Sequence, residues 1–453
     1  MISPARVAAY EVLVAVTAGH DLPAAIATAR TGLRDERDRA LASEIATGVQ
    51  RWRAALDHLI VAFAKRTIDR LDPEVVEILR LSAYQLLHLT RVPASAVVDD
   101  GANLVRRAGK RSAVGFVNAV LRAISRARRN LPLPPRPANA GDREAALDYL
   151  SITLSHPRWL VARWYERLGL DATEAWLQFN NQPAPVTLRV NRLRITPEEL
   201  VTRLAGEEVT LRPARFAPDA FIVESGHPLR GAGRDAGWFV VQDEASQLVT
   251  LLAGTAPGAR VLDACASPGG KTTAIAAAME DRGLLVASDV RDRRMALLRN
   301  TVAASGASNV RLVQADLLKP LPFRAPFDCV FVDAPCSGLG TLRRDPDIRW
   351  RRRESDLPLF AAAELTMLQH AAEMVAPGGR LIYATCSSEP EENVGVVDAF
   401  LATTPGFVPV PARDAHPRLP AAVVDARGHL CTEPHAHGLE AFFGAVFTRR
   451  PVT

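Results

Sequence analysis

The run ARVLDACASPGGKTT, Ala259 to Thr273, passes from apolar residues through a Pro-Gly-Gly turn into a helix-like start. Val261 and Leu262 read as a buried strand that closes on Asp263. Gly269 and Gly270 let backbone approach a ligand where the first N–H groups of a helix point outward. Two familiar loops of this kind are excluded. The first glycine of GxxxxGK(S/T) would fall on Cys265, and GxGxxG is absent. The ligand is then neither a nucleoside triphosphate held in the usual way nor NAD.

Outward from this loop, four more apolar runs end in polar residues: GLLVASDV (Gly283–Val290), NVRLVQAD (Asn309–Asp316), FDCVFVDAP (Phe327–Pro335) and GGRLIYATCS (Gly378–Ser387). Near-continuous apolar strands separated by helices predict a parallel sheet covered on both faces, with ligands at the carboxyl ends of its strands. Residues 236–453 therefore read as an α/β, Rossmann-like domain. Asp289 ends the second strand about 20 residues past the glycine turn, where an acid accepts hydrogen bonds from ribose hydroxyls. Asp316 ends the third and suits an adenine amino group. Helix capping is the plainer role for either acid alone. Together, in order on successive strands, they point to an adenosine-bearing cofactor, S-adenosylmethionine.

The fourth and fifth strands end in Asp333-Ala-Pro-Cys336 and Thr385-Cys386-Ser387. Neighbouring strand ends would bring two thiols into one pocket. A lone cysteine is commonly a small core residue, but a pair placed this way fits covalent catalysis. Cytosine carbon 5 is a poor nucleophile. A thiolate added at carbon 6 makes the ring an enamine, and carbon 5 can then attack a sulfonium methyl. A second group must help remove the carbon-5 proton and expel the thiolate. Asp333 is placed to hydrogen-bond the cytosine amino group and ring nitrogen. The residues alone leave open which thiol does which.

Ahead of this domain the pattern differs. Residues 1–130 read as all-α. Ala40–Ala64 and Pro73–Leu89 repeat apolar residues at three- and four-residue spacing, and Phe116, Val117, Val120, Leu121 and Ile124 share a face. The Pro-rich stretch in residues 131–144 reads as a linker. Residues 145–235 mix two helices (156–169 and 172–182), an alternating strand in APVTLRVNRLRI (Ala184–Ile195) and a helix opening at Thr196-Pro197, which predicts a small α+β domain.

Length and composition agree with this. The 453 residues are 48% hydrophobic and 23% charged, which excludes a disordered chain and predicts about three domains. No apolar run reaches the ~18 residues that span a bilayer, and no export signal opens the chain. A cytoplasmic protein off the membrane, monomeric by default, is expected. Five cysteines (Cys265, Cys329, Cys336, Cys386 and Cys431) without a CxxC pair argue against a disulfide framework and a structural zinc site, so no metal is expected. The net charge is only +5, but it is clustered. Residues 101–140 hold nine Lys or Arg and no acid, with Arg122, Arg126 and Arg129 together on one helix. A second cluster joins Arg343, Arg344 and Arg349 to Trp350 and Arg351–Arg353. Both read as polyanion contacts, the second with an aromatic ring for base stacking; solvated faces are the alternative.

On DAPCSG (Asp333–Gly338), PGGKT (Pro268–Thr272) and YATCSSEPEENVGVV (Tyr383–Val397), the chain resembles the RsmB/Sun/Fmu family of bacterial 16S rRNA cytosine-5 methyltransferases. VPASAVVDDGANLVR (Val92–Arg106) and FVNAVLR (Phe116–Arg122) resemble the NusB-type RNA-binding domain fused to its small-subunit enzyme. The resemblance covers nearly the whole chain and implies a class I S-adenosylmethionine-dependent methyltransferase domain. It implies Cys386 as nucleophile and Cys336 as the residue that assists release. It further implies a cofactor site of Cys265, Ala266, Ser267, Pro268, Gly269, Gly270 and Lys271 with Asp289, Asp316 and Asp333. Glu389, Glu391, Glu392 and Asn393 read as the capped start of a helix. Two departures stand out: Ser267 replaces an alanine of the usual loop, and Leu439-Glu440 stands where Asp-Gly is usual.

The expected activity is methyl transfer to a cytosine of 16S rRNA, free or in an assembling small subunit, on a base that is unpaired or flipped out. A tRNA cytosine-5 methyltransferase would share the catalytic motifs. A non-catalytic RNA-binding or antitermination factor would have lost a thiol or the glycine loop, and all are present.

Overall fold

The structure is a computed structural model that describes residues 2–139 and 141–451. It divides into two compact units, residues 1–183 with 342–354 and residues 184–341 with 355–453.

The first unit is helical. Its starts are set by short capping side chains: Asp21 accepts from Ala24 N–H and Asp35 from Arg37 N–H. The apolar faces read from the sequence meet in one core that includes Ile45, Leu56, Ile78, Leu79, Val117, Leu121 and Ile124. Helices approach closely at Gly48, where a Cβ would lie 1.9 Å from the Tyr84 ring. Two buried arginines are fully engaged. Arg6 donates to Gln85 (2.7 Å) and Asp100 (2.6 Å), and Arg80 to Asp57 (2.6 Å) and Glu77 (2.5 Å). The helices expected at 156–169 and 172–182 are two halves of Arg158–Asn181, broken at Gly169 with φ +77°. They and the Pro-rich stretch fall within the first compact unit.

The second unit holds two sheets. The smaller has β1 (Thr187–Val190), β2 (Thr210–Pro213), β3 (Ala220–Ser225) and β4 (Phe239–Val241) in the antiparallel order β2-β3-β1-β4. Its last strand lies past residue 235, beyond the expected boundary. Its helix Pro197–Ala205 opens with a reciprocal Thr196/Glu199 capping box. β1 is buried on both faces rather than alternating. Arg189 achieves this by donating to Gln242 Oε1, the Gly270 carbonyl and Thr273 Oγ1.

The larger sheet has β5 (Arg260–Asp263), β6 (Leu284–Asp289), β7 (Val310–Gln314), β8 (Phe327–Asp333), β9 (Val375–Thr385), β10 (Phe407–Val410), β11 (Leu430–Thr432) and β12 (Phe442–Arg449). The order is β10-β12-β9-β8-β5-β6-β7, with β11 also on β12. β5 to β9 are parallel, as expected. β12 runs against β9, so the sheet is mixed, not wholly parallel. Alternate residues of β8 enter opposite cores, Cys329 and Phe331 on one face and Val330 and Val332 on the other. The strand order reverses between β5 and β8, which opens a crevice at their carboxyl ends. No helix among the described residues is long and apolar enough to cross a membrane.

Candidate active site

Two thiols meet at that crevice. β8 and β9 pair in parallel with Asp333 opposite Ala384, and the loops beyond bring Cys336 Sγ to 3.3 Å from Cys386 Sγ. The loops are tied by backbone: Gly340 N–H donates to Cys386 O (2.9 Å), and Gly340 O accepts from Ala441 N–H (3.0 Å). A Cβ on Gly340 would lie 2.0 Å from Ala441 O and 2.7 Å from Cys386 O, so only glycine fits. Hydrogen bonding to Cys386, then burial, holds the Cys336 pKa well above the ordinary thiol range. Either sulfur can be the donor in this contact.

Beside the thiols, Lys271 Nζ lies 2.5 Å from Asp333 Oδ2 and 5.6 Å from the centre of the Phe442 ring. Burial alone would lower the Lys271 pKa. Asp333 outweighs it, with Cys386 adding, and the net shift is upward, so Lys271 is an ammonium. Asp263, at the end of β5, is buried and accepts from Thr272 Oγ1 (2.6 Å). Burial raises it to about 7.

The glycine turn follows β5 as expected. Gly269 has φ +105°, and a Cβ there would meet Leu298 and Thr301 at 3.0–3.1 Å. Gly270 opens the helix Gly270–Ala278, where a Cβ would meet nothing closer than 3.6 Å. The close approach thus belongs to Gly269 alone. Ala266 and Ser267 are buried, Pro268 is exposed, and Cys265 is half-buried. Asp289 ends β6 and accepts from Ser267 N–H (3.1 Å) and Val290 N–H (2.8 Å), which ties the turn to the next strand. Asp316 lies two residues past β7 and accepts from Leu318 N–H (3.0 Å).

A buried acid under the thiols escaped the sequence reading. The helix expected to be capped by Glu389, Glu391 and Glu392 begins only at Val394 and has no acid in its first turn. Glu392 instead accepts from Ser337 N–H (2.6 Å), Ser337 Oγ–H (2.6 Å) and Ser387 Oγ–H. Tyr383 Oη lies 2.5 Å from Glu392 O and 3.0 Å from Glu364 Oε2. The signal available was the matching Cys-Ser dipeptides, but nothing in the spacing named their common acceptor.

The expected RNA contacts divide. Arg122, Arg126 and Arg129 are exposed, and the first two line a cavity in the first unit with Ser95, Asp99 and Ser125. Other cations of residues 101–140 are paired with acids from elsewhere in the chain: Arg107 with Glu11, Lys110 with Asp72, and Arg136 with Asp171 and Glu174. The second cluster is corrected. Arg349 is buried in the first unit and donates to the carbonyls of Ser155 (2.9 Å), Leu342 (3.2 Å) and Arg51 (3.3 Å) and to Asn181 Oδ1 (3.1 Å). Trp350 Nε1–H donates to Gln50 O (2.7 Å). Arg343 stacks on Phe179 and donates to Pro183 O (2.7 Å), and Arg344 is half-buried. The guanidinium of Arg349 and the indole N–H of Trp350 are held inside the fold, away from phosphates.

A further cavity of about 350 Å³ lies against Ala274, Ala277 and Ala278 of the helix after the glycine turn. Its Arg192 and Arg418 both pair with Asp219. Among the described residues no group of three His, Cys, Asp or Glu is placed to hold a metal.

Known proteins resemble the chain over most of its length. Residues 249–448 match the family described as 16S rRNA methyltransferase RsmB/F, residues 3–126 the NusB family, and residues 156–230 the ferredoxin-like domain of RsmF/B-like methyltransferases. A probable ribosomal RNA small subunit methyltransferase B of Bacillus subtilis is 31% identical over 90% of both chains. The ribosomal RNA small subunit methyltransferase B of Pseudomonas putida is 34% identical over 88% of this chain and 89% of the relative. The crystal structure of PH0851 covers 99% of both chains with a TM-score of 0.81 at 26% identity.

Proposed function

The chain belongs to the RsmB/F family of methyltransferases, and from that premise we propose that it methylates carbon 5 of a cytosine in 16S rRNA through a covalent cysteine–cytosine adduct, with S-adenosylmethionine as donor. The observation that carries this reading is the pair of sulfurs 3.3 Å apart at the ends of adjacent parallel strands.

The crevice suits that cofactor. The turn at Gly269, with φ +105°, leads directly into the helix Gly270–Ala278 at the end of β5. Asp263 Oδ1 is buried without a hydrogen-bond partner among the described residues, as an acceptor awaiting a cationic group would be. Asp289 would take the ribose hydroxyls and Asp316 the adenine amino group, with the turn from Cys265 to Lys271 enclosing the rest. When bound, S-adenosylmethionine supplies an electrophilic sulfonium methyl.

The chain's own residues do the remainder. Cys386 adds its sulfur to carbon 6, which moves electron density to carbon 5. Asp333 accepts from the cytosine amino group and fixes the ring beside the thiols, with the Lys271 ammonium balancing its charge. After methyl transfer, with S-adenosylhomocysteine as the departing product, the carbon-5 proton passes to water, its electron pair re-forms the ring double bond, the carbon–sulfur bond breaks, and the pair from that bond returns to Cys386. Cys336, against that sulfur, serves this second half. Arg122, Arg126 and Arg129 hold rRNA, free or in an assembling small subunit, at the first unit.

The test uses unmodified 16S rRNA and tRNA with methyl-labelled cofactor. Wild type should label a cytosine of 16S rRNA. Cys386→Ala should lose turnover and keep cofactor binding, and Cys336→Ala should accumulate an RNA–protein adduct that survives denaturation. Label in tRNA alone would overturn the rRNA assignment, and full turnover by Cys386→Ala would overturn the nucleophile.

A further inference from the structure

We propose that Glu392 is the positioning residue that holds the two thiols in register, by binding the serine that follows each cysteine. The inference rests on the covalent reading above, because it gives Glu392 a task in that reaction.

Cys336-Ser337 and Cys386-Ser387 are matching dipeptides on loops that leave adjacent parallel strands. Both serines turn to one carboxylate. Ser337 donates its N–H to Glu392 Oε1 and its hydroxyl to Oε2, and Ser387 donates its hydroxyl to the same Oε2. The two hydroxyl oxygens are 3.2 Å apart, nearly the spacing of the two sulfurs. A single buried group thus gathers two donors from the Cys336 loop and one from the Cys386 loop. A buried carboxylate is stable only when donors of this kind surround it, so it resists any movement of either loop.

Glu392 is itself fixed from behind. Its carbonyl meets the hydroxyl of Tyr383, a β9 residue, which also meets Glu364 on the helix Leu357–Glu373. Burial, then the charge on Glu392, pushes Glu364 up to about 9, so Glu364 is neutral at pH 7. A glutamine at 392 would turn an NH2 toward donors and lose a tie. Charge and position predict opposite consequences. The charge on Glu392 raises the Cys336 pKa, so removing it would ease thiolate formation. Removing the ties would let the sulfurs drift apart.

The experiment oxidises the full-length protein with diamide. Two thiols give up two protons and two electrons to the diazene, which becomes a hydrazine, and a Cys336–Cys386 disulfide forms. Its rate, followed by peptide mapping, reports how often the sulfurs meet. A displacement of about 1 Å can cost on the order of 100-fold in a positioned reaction. Glu392→Gln and the milder Ser387→Ala should each slow disulfide formation by about tenfold or more. Each should lower kcat with KM for RNA unchanged, whereas a purely structural role would show in thermal stability alone. An unchanged or faster rate in Glu392→Gln would overturn the proposal, the faster rate being the signature of charge alone. Should Glu392→Gln fail to fold, an unchanged rate in Ser387→Ala would overturn it. The thiol assay needs no RNA. Slowed oxidation in a protein that methylates no RNA would overturn the covalent reading and leave the positioning intact.

Discussion

Glu364→Gln should change how stability depends on pH. Glu364 is fully buried beside Tyr383 and Glu392, and burial followed by the Glu392 charge raises it from 4.5 to about 9. The native state therefore keeps a proton that the unfolded chain releases once the pH passes its ordinary value. The stabilisation from the neutral acid is fully present below about pH 4.5 and is lost as the pH rises toward about 9, at roughly 1.4 kcal/mol per unit. Between about pH 5 and about pH 7 the loss is on the order of 3 kcal/mol. Glutamine has nearly the same shape, can still meet the Tyr383 hydroxyl, and does not titrate. The variant should therefore gain on wild type steadily from about pH 5 to about pH 8. Urea midpoints of both proteins across that range, converted through the denaturant slope, measure the difference. A difference flat to within about 0.5 kcal/mol would refute the claim that a proton sits on Glu364.

Gly340→Ala should destabilise the second unit by about 1–3 kcal/mol and depress methyl transfer, because its Cβ meets backbone on two sides, one of them the Cys386 carbonyl; a melt and an activity assay check both. Arg349→Met would leave three carbonyls and Asn181 Oδ1 without their donor. At about 1–3 kcal/mol for each acceptor left dry, it should lower the melting temperature of the first unit sharply. Arg122→Ala and Arg126→Ala should each weaken RNA binding and reduce the slope of log affinity against log salt by about 1, measured by titration at several salt concentrations.

Strand ends were the most readable part of this chain. Asp289, Asp333, Cys336 and Cys386 lie at one edge because parallel strands in a covered sheet present the same end, and an apolar run followed by a polar residue marks that end. Direction is not written in an apolar run, so β12, which runs against β9, gave no warning. The charge clusters were only partly legible, for a related reason. A window of sequence counts cations but not the acids that fold onto them, as with Lys110 beside Asp72 and Arg136 beside Glu174. Arg349 and Glu392 were illegible for the same physical cause. Their partners are neutral carbonyls, amides and hydroxyls, near and far in the chain, and such groups carry no compositional mark.

Five residues beyond Cys336 the chain leaves the second unit, contributes Leu342–Glu354 to the first, and then returns. The two units are therefore joined by three crossings of the polypeptide, not one. Cutting the gene at residue 183 would not yield a helical domain and a methyltransferase domain. The upstream fragment would lack the guanidinium that closes its own carbonyls, and the downstream fragment would carry Leu342, Pro346, Asp347 and Arg349 with nothing to bury them. A chimera between two members of this family should take residues 342–354 from the same parent as residues 1–183.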